Sequence, residues 1–289
     1  MWRQRTGSTV CPACGSLVGV NDPTCYNCGR RNPGLWGFAP VLRRLGQDLG
    51  FAQFVVAASV GLYLATLVAS EDPFQGRSPM DILAPDTQAL IRFGESGALP
   101  VFWAGRWWTI FSAGWLHASL LHIFFNMLWV RQLAPSVAEL YGAGRMMIIY
   151  TIAGATGFLL SSTTGWYFLG VPILGGAPLT VGASAPIFGL LGALVYYGRR
   201  TGSSMVHAEA LRYAIILFVF GFLMRGVDNY AHAGGFIGGW LTAYWLDPLA
   251  PERVDHLILG IACLALTGLA VVVSLIAGVP DSLQLLLRY

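Results

Sequence analysis

The chain has 289 residues, of which 55% are hydrophobic and 11% are charged, a composition far from the soluble average. All 17 basic residues are arginine, and the formal net charge is +3. Because the arginines are scattered and flank apolar runs, no nucleic-acid binding is expected. The first five residues lead into a cysteine-bearing segment, not an apolar stretch with a cleavage site. No secretory signal is therefore predicted, and the N-terminus is expected in the cytosol.

Residues 1–40 are polar, rich in turn formers and contain two Cys-x-x-Cys pairs separated by ten residues. Glycine follows the second cysteine of each pair, at Gly15 and Gly29, where a knuckle needs a positive φ. This spacing predicts a small cytosolic zinc ribbon with a structural, tetrahedral zinc site. The predicted ligands are Cys11, Cys14, Cys25 and Cys28.

Two other interpretations of these cysteines are weaker. A cytosolic location disfavours disulfides, and the paired knuckles disfavour a thioredoxin-like redox site. Four thiolates leave no open coordination position, so the metal would stabilise the ribbon or a contact with a cytosolic partner, and catalysis would need no cofactor. Cys263, near the C-terminus, is interpreted as a small buried apolar residue.

From about residue 50 onward the chain is predicted to lie in the membrane. Phe51–Ala69 is a mostly apolar run of 19 residues, long enough to cross ~30 Å of hydrocarbon at 1.5 Å per residue. Several later runs are shorter or more polar, as expected for helices buried inside a bundle. The six further predicted spans are residues 115–133, 146–162, 183–197, 210–224, 231–245 and 257–277.

The placement of arginine predicts the orientation of these spans. With the N-terminus inside, the cytosolic arginines are Arg30, Arg31, Arg43, Arg44, Arg131, Arg145, Arg199, Arg200, Arg212 and Arg253. The opposite side holds Arg77, Arg92, Arg106, Arg225 and Arg288, with Glu71, Asp72, Asp81, Asp86 and Glu95. The bias satisfies the positive-inside rule and places the C-terminal tail outside.

The predicted outer loop, residues 70–114, is unusually aromatic. It contains Trp103, Trp107 and Trp108, and tryptophan prefers the interface between membrane and water. The loop is therefore interpreted as lying partly embedded in the outer leaflet. An ordinary aromatic belt is the alternative.

Two polar residues on different spans can form a nucleophile and a base. Ser184 lies in the small, glycine-rich stretch 181–193, and His232 precedes Ala-Gly-Gly. Glycine pairs four residues apart let helix backbones approach closely, which a short serine side chain needs because a base must lie within ~3 Å of the proton it takes. Pure packing is the alternative reading of these glycines. The glycine and alanine positions are Gly182, Ala185, Gly189 and Gly192 near Ser184, and Gly234, Gly235, Gly238 and Gly239 after His232.

Further polar residues suit the stabilisation of an oxyanion. His122 and Asn126 are four residues apart and share one helix face, so both can donate to a developing oxyanion together with the N–H of Ser184. His117 lies off that face and is interpreted as a histidine that ties helices together. Asp228 is four residues before His232 and could orient it, but we interpret it as a residue at the outer helix end that is either paired with Arg225 or solvated.

In combination and order, these motifs resemble the rhomboid family of intramembrane serine proteases, over roughly residues 50–250. The matching motifs are Trp107-Trp108, His117 with His122 and Asn126, Glu139 with Tyr141-Gly142, Gly182-Ala183-Ser184 with Gly189 and Gly192, and His232-Ala-Gly-Gly. The resemblance implies a six-helix core with a Ser–His dyad open to the extracytoplasmic face. By position, Ser184 would be the nucleophile and His232 the general base, and His122 and Asn126 would stabilise the oxyanion.

The resemblance also implies that transmembrane segments of other proteins are the substrates. Residues 257–277 would be an added seventh helix. Residues 210–224, with Phe218, Phe220 and Phe222, would be the gate through which a substrate helix enters.

The sequence departs from the family pattern after the nucleophile. Ala185 and Pro186 follow Ser184, where the family usually has glycine and then often another small residue. Alanine still permits close packing, and proline is tolerated in the first turn of a helix. A catalytically inactive rhomboid-like adapter that binds transmembrane helices is therefore the alternative function. A transporter using the membrane histidines is disfavoured, because the spans contain almost no carboxylates and show no repeat symmetry.

The sequence thus predicts an all-α polytopic membrane protein. Its predicted parts are a cytosolic zinc ribbon (residues 1–40), a rhomboid-like six-helix catalytic core (41–250) and an additional C-terminal transmembrane helix with a tail (251–289). The predicted function is an intramembrane serine endopeptidase. The predicted location is a multi-pass position in a lipid bilayer, in a prokaryotic plasma membrane.

Overall fold

The computed structural model describes residues 3–39, 46–71, 82–168, 170–171, 174–224 and 226–286, with side chains up to Leu283. A short hairpin of β1 (Ser8–Val10) and β2 (Leu17–Gly19) precedes a helical body. The helices are α1 (Phe51–Ala69), α2 (Thr87–Phe93), α3 (Thr109–Ser112), α4 (Leu120–Tyr141), α5 (Ala143–Tyr167), α6 (Ser184–Thr201), α7 (Ser204–Leu223), α8 (Asn229–Trp245), α9 (Val254–Ala277) and α10 (Asp281–Leu286). Of the residues used above for orientation, Arg43, Arg44, Asp72, Arg77, Asp81, Arg225 and Arg288 lie outside the described part.

The prediction of an all-α polytopic membrane protein is confirmed. Among the described residues, four helices are each long and apolar enough to cross a membrane, namely α1, α5, α7 and α9. The region from α3 to α4 makes a fifth span if the two helices count as one, although they are bent by 93°. The predicted span 115–133 therefore has the wrong start, because α4 begins at Leu120, where Ser119 caps it by accepting the N–H of His122.

The two remaining predicted spans, α6 and α8, are not long and apolar enough by themselves to cross a membrane. Helix α8 has 17 residues, and the last turn of α6 contains Arg199 and Arg200. Both lie at the centre of the body, where α8 packs extensively against α5 and α6. Protein neighbours cover most of α6 and the glycine face of α8, so these helices need less hydrophobicity than a helix that faces lipid all round.

The glycines of α8 form two separate stripes. Gly235 and Gly239 face α6, where a Cβ on either residue would overlap backbone atoms of Ala185 or Gly189. Gly234 and Gly238 face α5, where a Cβ would overlap atoms of Thr156. The predicted close approach of helix backbones is confirmed, and each glycine pair serves a different neighbouring helix.

Helix α7 is the most loosely packed of the candidate spans. Only 17% of the apolar stretch of α7 is buried, against 67% of the corresponding stretch of α5. It contacts mainly α6, with smaller contacts to α8, and its buried residues are Ala210, Ala214 and Gly221. It therefore has fewer packing contacts to lose than the central helices if it moves.

Helix α9 packs against α5 and against the segment between α1 and α4. The anchor is Ser274, whose hydroxyl accepts the indole N–H of Trp108 (3.0 Å) and whose carbonyl accepts Arg106 (3.2 Å). The Arg106 guanidinium is buried and also donates to the carbonyl of Ile91 (3.0 Å). The predicted outer loop is thus tied to the added helix. Its partly embedded position stays a prediction.

The connection from α8 to α9 is held by one buried arginine. Arg145, at the start of α5, donates to the carbonyls of Leu246 (2.8 Å), Asp247 (2.6 Å) and Ala250 (2.5 Å). The carboxylate of Glu252 in turn accepts the N–H groups of residues 144 and 145. The N-terminal ribbon reaches the same connection, because Arg30 donates to the carbonyl of Glu252 (3.3 Å).

Candidate active site

Ser184 is the first residue of α6 and is half-buried. The preceding Gly182 has φ +126°, a conformation that residues with a side chain rarely adopt. Its N–H donates to the carbonyl of Ala113 (3.0 Å), which fixes the entry into α6 against the segment before α4. The N–H of Ser184 lies in the first turn, where donors have no partner within the helix, and the helix dipole favours negative charge there.

His232 lies in the first turn of α8 and is buried. Its ring stacks on Phe188 at a centroid distance of 4.2 Å and an interplanar angle of 15°. Phe188 is four residues after Ser184, so the imidazole lies beside the first turns of α6. Ala185 of α6 and Gly235 of α8 also lie in backbone contact. The structure thus places the predicted nucleophile and base at the same end of two helices in backbone contact.

His122 lies in the first turn of α4, close to Gly182. A Cβ at residue 182 would be 2.6 Å from Nε2 of His122 and 3.8 Å from the amide nitrogen of Asn126. The Nδ1 of His122 accepts the N–H of Ala118 (3.3 Å), so in the neutral ring the hydrogen is on Nε2 and points toward the turn before Ser184. Asn126 uses one amide hydrogen to donate to the carbonyl of His122 (2.9 Å) and has a second one to offer.

His117 is fully buried and lies edge-on against His122, with ring centroids 5.2 Å apart. Neither ring nitrogen of His117 has a hydrogen-bond partner among the described residues, so its role in tying helices together stays a prediction. Asp228 is half-buried and immediately precedes α8, and its pairing with Arg225 stays a prediction. Its carboxylate accepts the N–H of Ala231 (3.0 Å) and the hydroxyl of Ser161, so it caps α8 and joins α8 to α5. Arg225 lies outside the described residues.

Sequence reasoning missed Asn229. Its side-chain oxygen lies 3.2 Å from Nδ1 of His232, the nitrogen on the other side of the ring from Nε2. The signal was available, because a residue three positions earlier shares a helix face with His232.

The Ala185-Pro186 departure is accommodated without disturbing α6. Ala185 is fully buried against Gly157 and Gly235. Pro186 lies in the first turn, where its missing N–H breaks no bond, and the N–H of Ile187 still donates to the carbonyl of Ala183 (3.0 Å). Pro186 packs near Gly154, whose missing side chain leaves it room.

The four N-terminal cysteines form a separate cluster. Their sulfurs all lie within 4.8 Å of one another, with Cys11–Cys28 at 3.7 Å and Cys14–Cys25 at 3.6 Å. Tetrahedral zinc with Zn–S bonds of ≈ 2.3 Å needs sulfurs roughly 3.8 Å apart, so the donor set fits a zinc ion. Gly15 (φ +75°) and Gly29 (φ +71°) adopt the predicted positive φ.

Comparison with known proteins finds relatives of a single family. The Rhomboid domain family model matches residues 104–248, half of the chain. The chain is 32% identical over 161 residues to Rhomboid protease GluP of Bacillus subtilis (strain 168), covering 55% of this chain and 29% of that protein. It is 28% identical over 209 residues to RHOMBOID-like protein 1 of Arabidopsis thaliana, covering 66% and 51% of the two chains.

A third relative, Rhomboid-like protease 2 of Toxoplasma gondii, is 26% identical over 197 residues, covering 65% and 62%. The chain therefore spans about a third to three fifths of the length of these relatives. The matched region contains α4 through α8 together with Ser184, His232, His122 and Asn126. With its central glycine-packed helices and the family match over half its length, this multi-pass chain belongs to the rhomboid family.

Proposed function

We propose that this protein is an intramembrane serine endopeptidase that cleaves transmembrane segments of other membrane proteins. Ser184 is the nucleophile and His232 the general base. His122, Asn126 and the N–H of Ser184 stabilise the oxyanion. The observation that carries the proposal is the position of Gly182-Ala183-Ser184, which runs from contact with His122 into the helix turn beside His232.

The reaction proceeds by acyl transfer. A substrate helix unwinds locally, because its carbonyls are otherwise hydrogen-bonded and shielded. The hydroxyl oxygen of Ser184 bonds to the scissile carbonyl carbon, and Nε2 of His232 takes the hydroxyl proton. His232 then gives this proton to the leaving amine as the C–N bond breaks. Water adds to the acyl-enzyme in the same way, releases the new carboxyl terminus and restores Ser184.

The negative charge on the carbonyl oxygen develops where the donors converge. The Nε2–H of His122, the second amide hydrogen of Asn126 and the first-turn N–H of Ser184 all serve that position. The helix dipole of α6 adds a favourable field at the same point. These donors stabilise the transition state more than the neutral carbonyl of the substrate.

Substrate enters beside α7, which its low burial favours. Phe218 of α7 packs against Phe188 (6.4 Å between centroids) and against Phe222 (5.4 Å). Phe220 and Phe222 are largely exposed, so among the three predicted gating phenylalanines only Phe218 faces the site. A crosslink between α7 and α4 that left cleavage of a membrane substrate intact would contradict entry at this position.

The ribbon holds one structural zinc ion through Cys11, Cys14, Cys25 and Cys28, and it offers a surface to a cytosolic partner. We place the protein in a prokaryotic plasma membrane, with the ribbon in the cytosol and the site open to the extracytoplasmic side, as the distribution of arginine favours. Arg30 and Arg31 of the ribbon, and Arg199 and Arg200 before the α6–α7 connection, are among the arginines assigned to the cytosolic side.

A fluorophosphonate probe tests the proposal directly. The purified full-length protein should be labelled at Ser184, and Ser184→Ala should abolish both labelling and cleavage of a helix-bearing substrate. His232→Ala should also block labelling. A folded protein that takes no label and cleaves no membrane substrate, yet binds transmembrane helices, would instead be the inactive adapter.

A further inference from the structure

The His232 ring is held by two residues outside the proposed catalytic set. Its Nδ1 lies 3.2 Å from the side-chain oxygen of Asn229, and its face lies on Phe188. An amide oxygen only accepts hydrogen bonds, so Nδ1 must carry the hydrogen and Nε2 the lone pair. The proposed function needs that tautomer, because Nδ1 faces Asn229 and Nε2 is left to take the proton of the Ser184 hydroxyl.

Asn229 is in turn packed against α7. The contact is at Gly221, one of the three buried residues of that helix. A Cβ at residue 221 would overlap the Asn229 side-chain oxygen and lie 3.0 Å from its Cγ. The amide therefore occupies the space that a side chain at 221 would need. Because an Asn side chain is short and free to turn, an added methyl group would be relieved by turning the amide away from Nδ1.

A second line of contact joins the same helix to the same ring. Phe218, three residues before Gly221, meets Phe188 edge-on at 6.4 Å, and Phe188 stacks on His232. Helix α7 thus touches both groups that orient the imidazole. It is also the least buried of the candidate spans, so the helix with the least packing elsewhere is the one that supports the base.

We propose that Asn229 is the positioning residue for His232 and that α7 holds it in place through Gly221. The inference rests on the proposed function of Ser184 and His232. The base has the correct tautomer and orientation only while α7 is seated against Asn229. Loss of the contact at Gly221 would remove this support.

The experiment compares Gly→Ala variants of full-length protein in one detergent or bilayer. Gly221→Ala should lower kcat for a helix-bearing substrate and the rate of fluorophosphonate labelling by roughly 10- to 100-fold, as expected when a general base is misaligned. KM should change by less than about twofold, since Asn229 binds no substrate. Gly61→Ala and Gly268→Ala are matched controls, because a Cβ at either helical position meets nothing within 4 Å. Both should keep the wild-type rate.

Asn229 variants supply the second arm, which does not depend on how Gly221→Ala folds. Asn229→Ala should slow labelling by a similar factor, and Asn229→Asp should restore most of the rate because a carboxylate still accepts from Nδ1. The double variant Gly221→Ala/Asn229→Ala should be no slower than Asn229→Ala, since both changes break one linkage. Melting temperatures should identify any unfolded variant.

The outcomes separate the two proposals. If the wild-type protein is labelled at Ser184 but Asn229→Ala reacts at the same rate, the positioning role is wrong and the protease stands. If Asn229→Ala is slow while a folded Gly221→Ala reacts like its controls, the support from α7 is wrong. If the wild-type protein neither reacts nor cleaves, the proposed function fails and the inference fails with it.

Discussion

Gly182 lies directly against the imidazole of His122, so that a Cβ at residue 182 would be 2.6 Å from Nε2 and 2.7 Å from Cε1 of that ring. The glycine leaves free the volume beside the nitrogen that carries the hydrogen. In the proposed mechanism the carbonyl oxygen of the substrate approaches this volume. The absence of a side chain two residues before the proposed nucleophile therefore has a chemical reason as well as a conformational one.

Gly182→Ala should accordingly abolish most activity. The methyl group would displace His122, and φ +126° is unfavourable for alanine. We expect kcat/KM to fall by about 100-fold or more, as for an ångström-scale misplacement of a catalytic group. Gly202→Ala is the control, because Gly202 also has a positive φ (+75°) but open space around it. Equal loss in both variants would indicate backbone strain alone.

His122→Ala and Asn126→Ala should each lower kcat by ~10²–10³-fold with a small change in KM, since each removes one donor to the oxyanion. Steady-state cleavage of a helix-bearing substrate measures both constants. Ser136→Ala, on the exposed side of the same helix, should match the wild-type protein. If Asn126→Ala kept the wild-type kcat, Asn126 would not be part of the oxyanion site.

The buried carboxyl of Glu95 should make stability depend on pH. Burial raises its pKa to about 8, whereas an unfolded chain has a value of about 4.3. Between these values the folded protein keeps a proton that the unfolded chain releases, so the free energy of unfolding falls as pH rises, by on the order of 1 kcal/mol per pH unit. Glu95→Gln stays neutral and should lose this dependence.

Thermal unfolding at pH 5, 6.5 and 8 checks the Glu95 prediction. The melting temperature of Glu95→Gln relative to wild type should increase steadily over this range. Glu139→Gln, on the exposed face of α4, is a control that should follow the wild-type curve. A constant difference between wild type and Glu95→Gln would show that the carboxyl does not titrate in this window.

Arg145→Met should destabilise the fold without touching the proposed site. The substitution leaves the carbonyls of Leu246, Asp247 and Ala250 without their buried donor, at a cost of about 3–5 kcal/mol. Reversible unfolding in detergent measures this loss. Arg131→Met, at an exposed position of α4, should have little effect. A stable Arg145→Met would mean that water or lipid headgroups replace the guanidinium.

The four-cysteine site should bind a fixed amount of zinc. Purified protein should contain about one zinc ion per chain, as expected for a four-cysteine site, and Cys11→Ser or Cys25→Ser should lose it. Cys263→Ser should keep the metal, because Cys263 lies in α9, away from the cluster. Elemental analysis after removal of loosely bound metal is the measurement. Zinc retained in both ribbon variants would contradict the assignment.

Much of this protein was predictable from residue patterns alone. The apolar run 51–69 is the helix Phe51–Ala69 with both ends correct, because its length matches a bilayer and its flanks are polar. The cysteine spacing and the following glycines predicted knuckles with positive φ, which is local chemistry. Helical periodicity likewise predicted that His122 and Asn126 share a face.

The contacts between helices were not predictable in this way. Spacing places Asp228 one helical turn before His232, but its carboxylate accepts from Ala231 and Ser161, and the side-chain oxygen of Asn229 meets the ring. The start of α4 was also missed, because the 93° bend before Leu120 depends on how the preceding segment packs. A period of 3.6 residues defines which residues share a face and says nothing about which neighbour that face meets.

The sequence by itself determined the class of the protein, the existence of the longer helices, the cysteine knuckles and the residue types available for chemistry, because these follow from apolar length, turn chemistry and spacing along one chain. Only the tertiary structure decided that Gly182 faces His122, that Gly221 contacts Asn229 and that Ser274 anchors Trp108. Each of these contacts joins residues from different elements, and their positions depend on how whole helices pack against one another.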